Sequence, residues 1–195
     1  FEGNGYGDAW HKEAKKRKLS NNKSTPEALK AKISEKTISL FKEMNVLNEV
    51  EILARYEIEI EEYTKRIQIE ARVLGDIAGN HVVPTAVRYQ NLLIENVAGL
   101  KRIFGDEFET HASEQIKLIK KISSHIEAIH FNVEEMINTR KKANKVEDPS
   151  KKATMYCNDV KPFFDIIRYH CDKLELMVDD ELWPLTKYRE LLFTR

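Results

Sequence analysis

The sequence predicts an all-α protein: a bundle of about four long helices with coiled-coil-like seams, preceded by short helices. Three observations predict it. Seven Gly and five Pro in 195 residues lie below average usage, while 33% of the residues are charged, a composition of long solvated helices and not of a turn-rich β fold. Apolar residues recur at three-four spacing through long stretches without proline. Good helix caps and stops punctuate those stretches. Charge narrows the function classes: Lys+Arg and Asp+Glu each count 32, so the chain has no net electrostatic pull on nucleic acid or an anionic membrane. No run of eighteen apolar residues occurs, and the opening FEGNGYGDAW has neither a basic nor an apolar leader region, so nothing is expected to span a membrane. Cys157 and Cys171 are too few and too far apart for a zinc ribbon or redox motif and read as two reduced thiols. The sequence starts at Phe1 without methionine and is expected to be a fragment or a processed chain.

Taken in order, Gly3 to Gly7 has turn chemistry and predicts a connecting loop. Asp8 is read as the cap of a short helix to about Lys18, whose basic residues His11, Lys12, Lys15, Lys16, Arg17 and Lys18 make a solvated face. Thr25-Pro26 predicts a second helix with Thr25 as cap and proline in its first turn. A third stretch carries Ile38, Leu40, Phe41 and Met44. We therefore divide the chain into residues 1–47, a loop with short helices, and 48–195, the bundle, within one compact domain overall.

Asn48 is expected to cap a helix running from Glu49 to about Asn80, in which Leu53, Tyr56, Ile60, Tyr63, Ile67, Glu70, Leu74, Ile77 and His81 fall at 3-4 spacing. Such a repeat keeps one seam facing a partner helix. Pro84 predicts a break at about His81 to Val83, because the residue before proline is pushed out of helical geometry. A further helix should run from Pro84 to Phe104 and stop at Gly105. From about Thr110 to Lys142 the heptad returns, as Ile119, Ile122, Ile126, Ile129, Val133, Met136 and Arg140. The polar stretch Lys141 to Lys152, with Asp148-Pro149, is expected to be a mobile loop and a candidate regulatory element. Val160, Phe164, Ile167, Cys171, Leu174 and Val178 mark the last long helix, with Pro162 in its first turn or at a kink. The tail ELWPLTKYRELLFTR is dense enough in Leu, Trp and Phe to dock.

A bundle invites a di-metal site, which needs Glu-x-x-His on two helices and a Glu from each of two more. Glu127-x-x-His130 fits once, and no other histidine has a glutamate three residues before it. Glu70, on an otherwise apolar seam, reads better as a buried or interfacial acid paired with Arg66 or Arg88, since an unpaired buried carboxylate is costly. His81 sits where the break is predicted and suits a capping or buried role, as no Ser or Cys lies in an activating context. Cys171 falls on an apolar stripe as a small core residue. Gly3, Gly5 and Gly7 do not form a phosphate loop. The residues predict no catalytic, cofactor-binding or metal-binding site.

Three blocks carry a resemblance: the opening FEGNGYGDAWHKEAKKRKL, the central RYEIEIEEYTKRIQIEARVLGDIAGNHVVPTAVRYQNLLIENV and the terminal DKLELMVDDELWPLTKYRELLF. In order and spacing the chain resembles the C-terminal region of type III glutamine synthetases. The resemblance implies a parent ligase that condenses glutamate with ammonia using ATP and divalent Mg or Mn, with its catalytic motifs upstream and no catalytic residue here. It also implies packing on the parent's own catalytic domain and on neighbouring subunits of a double-ring homo-oligomer, in the cytoplasm of a bacterium-like cell. The alternatives are a di-metal carboxylate bundle using Glu70, Glu127 and His130, or a stand-alone helical module that binds an unrelated protein.

Overall fold

Side-chain caps start two of the three short helices at the beginning of the chain, seen in a computed structural model that describes residues 3–193. Phe1 and Glu2 of the opening block, and Thr194 and Arg195 of the tail, lie outside the described residues. All regular structure among the described residues is helical, as predicted. The chain divides into two compact units, one up to Tyr63 and one from Thr64 onward.

In the first unit, Asn4 makes the expected turn, accepting the Gly7 N–H on its carbonyl and the Tyr6 N–H on its side chain at 2.9 Å. Helix α1 (Asp8–Lys16) is capped by Gly7, so Asp8 lies in the first turn and acts on the helix dipole and not as the cap. Helix α2 (Thr25–Lys32) is capped one residue earlier than predicted. Ser24 Oγ accepts from the Glu27 N–H while the Glu27 carboxylate accepts from the Ser24 N–H, a capping box that Thr25 would have lacked. Ser34 caps α3 (Glu35–Glu43) through the Thr37 N–H. Asn48 starts α4 (Glu49–Asp76) as expected, its side chain accepting from Glu51 N–H at 3.0 Å and its own N–H donating to the Glu51 carboxylate at 2.8 Å. The Lys32 ammonium pairs with Glu59 and ties α2 to this first part of α4.

In the second unit, α4 leads through a π-helical segment, Ile77–Val82, into α5 (Val83–Phe104). Gly105, at φ 55°, reverses the chain, and α6 (Phe108–Asn144) returns along α5 and packs against α8 (Pro162–Glu175). Gln90 of α5 donates to the Ile119 carbonyl at 3.0 Å and to Ser123 Oγ at 2.6 Å on α6. The heptad of α6 holds: Ile122, Ile129, Met136 and Ala143, seven apart, are all but fully buried, with Ile119, Ile126, Val133 and Arg140 half-buried beside them.

Three expectations are corrected. The break at His81 to Val83 does not occur. Proline has no N–H and its ring clashes with the carbonyl four residues back, and a wide turn relieves both: the Val83 N–H, just before Pro84, bonds back five residues to Ala78. The same device recurs at Pro162, where the Lys161 N–H reaches the Tyr156 carbonyl at 3.0 Å across a second π-helical segment, Tyr156–Val160. The predicted loop at 141–152 is mostly helix. α6 continues to Asn144, Asp148 caps α7 (Pro149–Met155) through the Lys151 N–H, and Ala143 and Ala153 have no exposed surface. The tail docks only in part: Lys187 binds the Glu175 carbonyl and the Asp180 carboxylate, while Leu191 and Leu192, at and after the end of the four-residue α9 (Tyr188–Leu191), and then Phe193, stay exposed.

Candidate functional site

The buried face of α4 follows the predicted heptad seam only in part, sharing Tyr56, Ile60 and Ile67 with it. Ile52, Tyr56, Ile60, Thr64, Ile67 and Ala71 are buried, followed by Ala78 and Val82, in steps of four, four, four, three and four up to Ala71. An undistorted helix drifts about 20° per heptad away from a 3.5 repeat, so the buried stripe leaves the predicted seam and small residues fill it. Glu70 is consequently exposed, which corrects the buried alternative of its reading as a buried or interfacial acid. Arg88, one of its two suggested partners, donates instead to Thr85 Oγ1 at 3.0 Å. His81, Glu127 and His130 are exposed as well. Glu127 and His130 are neighbours one turn apart on α6, and among the described residues no three His, Cys, Asp or Glu side chains converge as metal ligands.

Three other features are assembled by the second unit. The first is a groove of about 500 Å³ between α4 and α8, lined by Ile69, Val73, Leu74, Ile77 and Phe164, with Glu70, Asp165 and Arg168 supplying charge. Ile69 is 60% exposed and Val73 50%, a high solvent exposure for two branched apolar side chains on one helix face.

The second is a polar node. Tyr156, fully buried, donates its hydroxyl to Asn144 Oδ1 at 2.6 Å, and Gln68 donates to the same oxygen at 3.3 Å. Burial pushes the Tyr156 phenol above its ordinary value, with the Arg140 and Arg72 charges opposing. The phenol therefore stays protonated, which suits the joining of α4, α6 and the second π-helical segment and not acid-base chemistry.

The third is a pair of histidines, His125 of α6 and His170 of α8, with Nδ1 atoms 2.8 Å apart. Tyr169 packs edge-on against both rings. Burial, then the charges of His170 and Lys173, hold His125 below the ordinary imidazole value. Neither was a candidate from the sequence, yet a local signal exists. Each lies three residues after and four before fully buried residues, Ile122 and Ile129 for His125, Ile167 and Leu174 for His170, a polar group flanking a core stripe at matching places on two helices.

Cys171 is half-buried, its thiol pushed up to about 11 first by burial and then by Asp172, so it holds little thiolate at neutral pH. Cys157 is also half-buried, and both thiols are free. No helix, among the described residues, is long and apolar enough to cross a membrane.

A family model described as the glutamine synthetase C-terminal domain matches residues 1–101. The whole chain aligns with a glutamine synthetase of Bacteroides fragilis (strain YCH46) at 45% identity, with a type-3 glutamine synthetase of Dictyostelium discoideum at 34%, and with a glutamine synthetase of Butyrivibrio fibrisolvens at 26%. It spans 27% of the length of each of these relatives.

Proposed function

Since this chain belongs to the glutamine synthetase C-terminal domain family, we propose that its work is packing: it seats on the catalytic part of a glutamine synthetase and on neighbouring subunits, and does no chemistry itself. The observation that carries this reading is the exposed apolar wall of the α4–α8 groove, Ile69 and Val73 above all. Surface of this kind is the usual mark of an interaction site.

The enzyme of which this would be part condenses glutamate and ammonia at the expense of ATP, as a nitrogen-assimilating homo-oligomer of the double-ring kind, in the cytoplasm of a bacterial type of cell. ATP and its Mg or Mn would be held elsewhere in that enzyme. The described residues offer no converging set of three carboxylate or imidazole ligands, and the N-terminal glycines make no phosphate cradle, so no catalytic step is assigned here.

The test has two parts. The 195-residue chain given glutamate, ammonia, ATP and Mg²⁺ should show no turnover, and robust turnover would overturn the reading. In the longer enzyme, Ile69→Asp with Val73→Asp should shift native mass spectra towards smaller species while helical content is kept. An unchanged assembly would remove the groove as the seat.

A further inference from the structure

We propose that His125 and His170 form a proton-limited latch between α6 and α8, which holds while the two rings carry at most one extra proton and opens on the second. This inference goes beyond the packing role and does not depend on it.

The geometry imposes the limit. A contact of 2.8 Å between two Nδ1 atoms requires one N–H and one lone pair. With both rings neutral, one donates and the other accepts. With one ring protonated, the imidazolium donates to its neutral partner. With both protonated, two N–H groups and two positive charges face each other across the same gap, and the helices must separate or the rings must swing apart.

The surroundings strengthen the limit. The pair is half-buried, Lys173 adds a positive charge, and Tyr169 is a neutral wall. Lys121, one helical turn before His125 on α6, is exposed. Of the elements packed on α6 and α8, α5 carries Arg88, bonded to Thr85. The Ile77–Val82 segment carries His81, exposed. Tyr156–Val160 carries Tyr156, committed to Asn144, with Cys157 half-buried and Asp159 exposed. α7 meets α6 some twenty residues along the helix, roughly 30 Å from His125 at 1.5 Å per residue. No third ligand converges on the pair, which favours a proton over a metal ion as the shared particle.

The sign follows from linkage. His125 binds its proton less readily in the folded chain than in the unfolded one, so below about pH 6.5 the unfolded state holds more protons and stability falls as pH falls. Above that value the latch is closed and stability is flat with respect to it.

Imidazole ¹⁵N and ¹H titration of the chain by NMR tests the latch directly. The expected result is two coupled protonations separated by more than about one pH unit, with His125 taking the later proton and the Nδ1 resonances collapsing to imidazolium values only after it. His170→Gln, which still offers an amide donor to His125 but cannot titrate, should move the His125 midpoint back up and flatten the loss of unfolding midpoint between pH 7 and 5. Two independent titrations near the ordinary value in the unmodified chain overturn the latch, even if the variant fails to fold. Equal acid sensitivity of the folded variant and the parent overturns it as well.

Discussion

Helices α4 and α6 carry the same sequence signal and bury different things. Both show apolar residues at 3-4 spacing over several heptads. In α6 the seam is real, and Ile122, Ile129, Met136 and Ala143 are all but fully buried. In α4 the predicted seam includes Leu53, 38% exposed, and Glu70, exposed, while Thr64, Ala71 and Ala78 are buried in its place. The difference teaches that a heptad read from large apolar residues names a face only when the small residues agree with it. Along α6 they agree, Ala143 extending the Ile122 series. Along α4 they do not, and Ile69 and Val73, which belong to neither the seam nor the buried stripe, lie at the surface.

The sharpest way to break this comparison is to truncate at equivalent seam positions. Ile129→Ala in α6 should cost about 2–5 kcal/mol by urea unfolding, the range for emptying a filled core site. Leu53→Ala, at a nominal seam position of α4, should cost under about 1 kcal/mol because its surface is already partly wet. Equal losses would restore the heptad reading of α4. Next in size is Gly105→Ala: at φ 55° and ψ −127° the backbone suits glycine alone, and the expected cost is about 1–3 kcal/mol. Gly75→Ala sharpens the small-residue lesson with the opposite sign. A Cβ there would meet Met136 Cε at 3.5 Å and Val133 Cγ1 at 3.6 Å, ordinary contacts, so the substitution should stabilise by about 0.5–1 kcal/mol. A loss would mean that α4 and α6 sit closer than these distances. The smallest effect belongs to Glu70→Gln, for which an exposed carboxylate predicts a change within about 0.5 kcal/mol. A large loss would return Glu70 to the interior.

Much of the fold was legible because its signals are local. Asn48 with Glu51, Ser34 with Thr37 and Gly105 are punctuation within a few residues of the event they cause. Thr25 was misread for Ser24 because both can cap, and only Glu27 at the right offset decides between them. The site features were harder. Tyr156 meets Asn144, Gln68 meets Asn144 and His125 meets His170 across 12, 76 and 45 residues respectively, separations that no window of periodicity joins. The flanking of each histidine by two core residues was visible, but it shows a side and not a partner. Family resemblance fared better because it reads whole strings, and the matched relatives agree with it.

The two π-helical segments have a consequence for how the chain tolerates change in length. Each widened turn holds one residue more than an ordinary helical turn, so it acts as a phase step of about one residue. One residue of an α-helix corresponds to about 100° of rotation. Deleting Asn80 would let Ile77–Val82 rewind as ordinary helix with the extra residue gone, so α5 would keep its azimuth and Gln90 its reach to Ile119 and Ser123. Replacing Asn80 would leave the phase untouched. The segment should therefore absorb the loss of one residue without re-aiming α5, and the same holds for Tyr156–Val160 and the azimuth at which α8 presents His170.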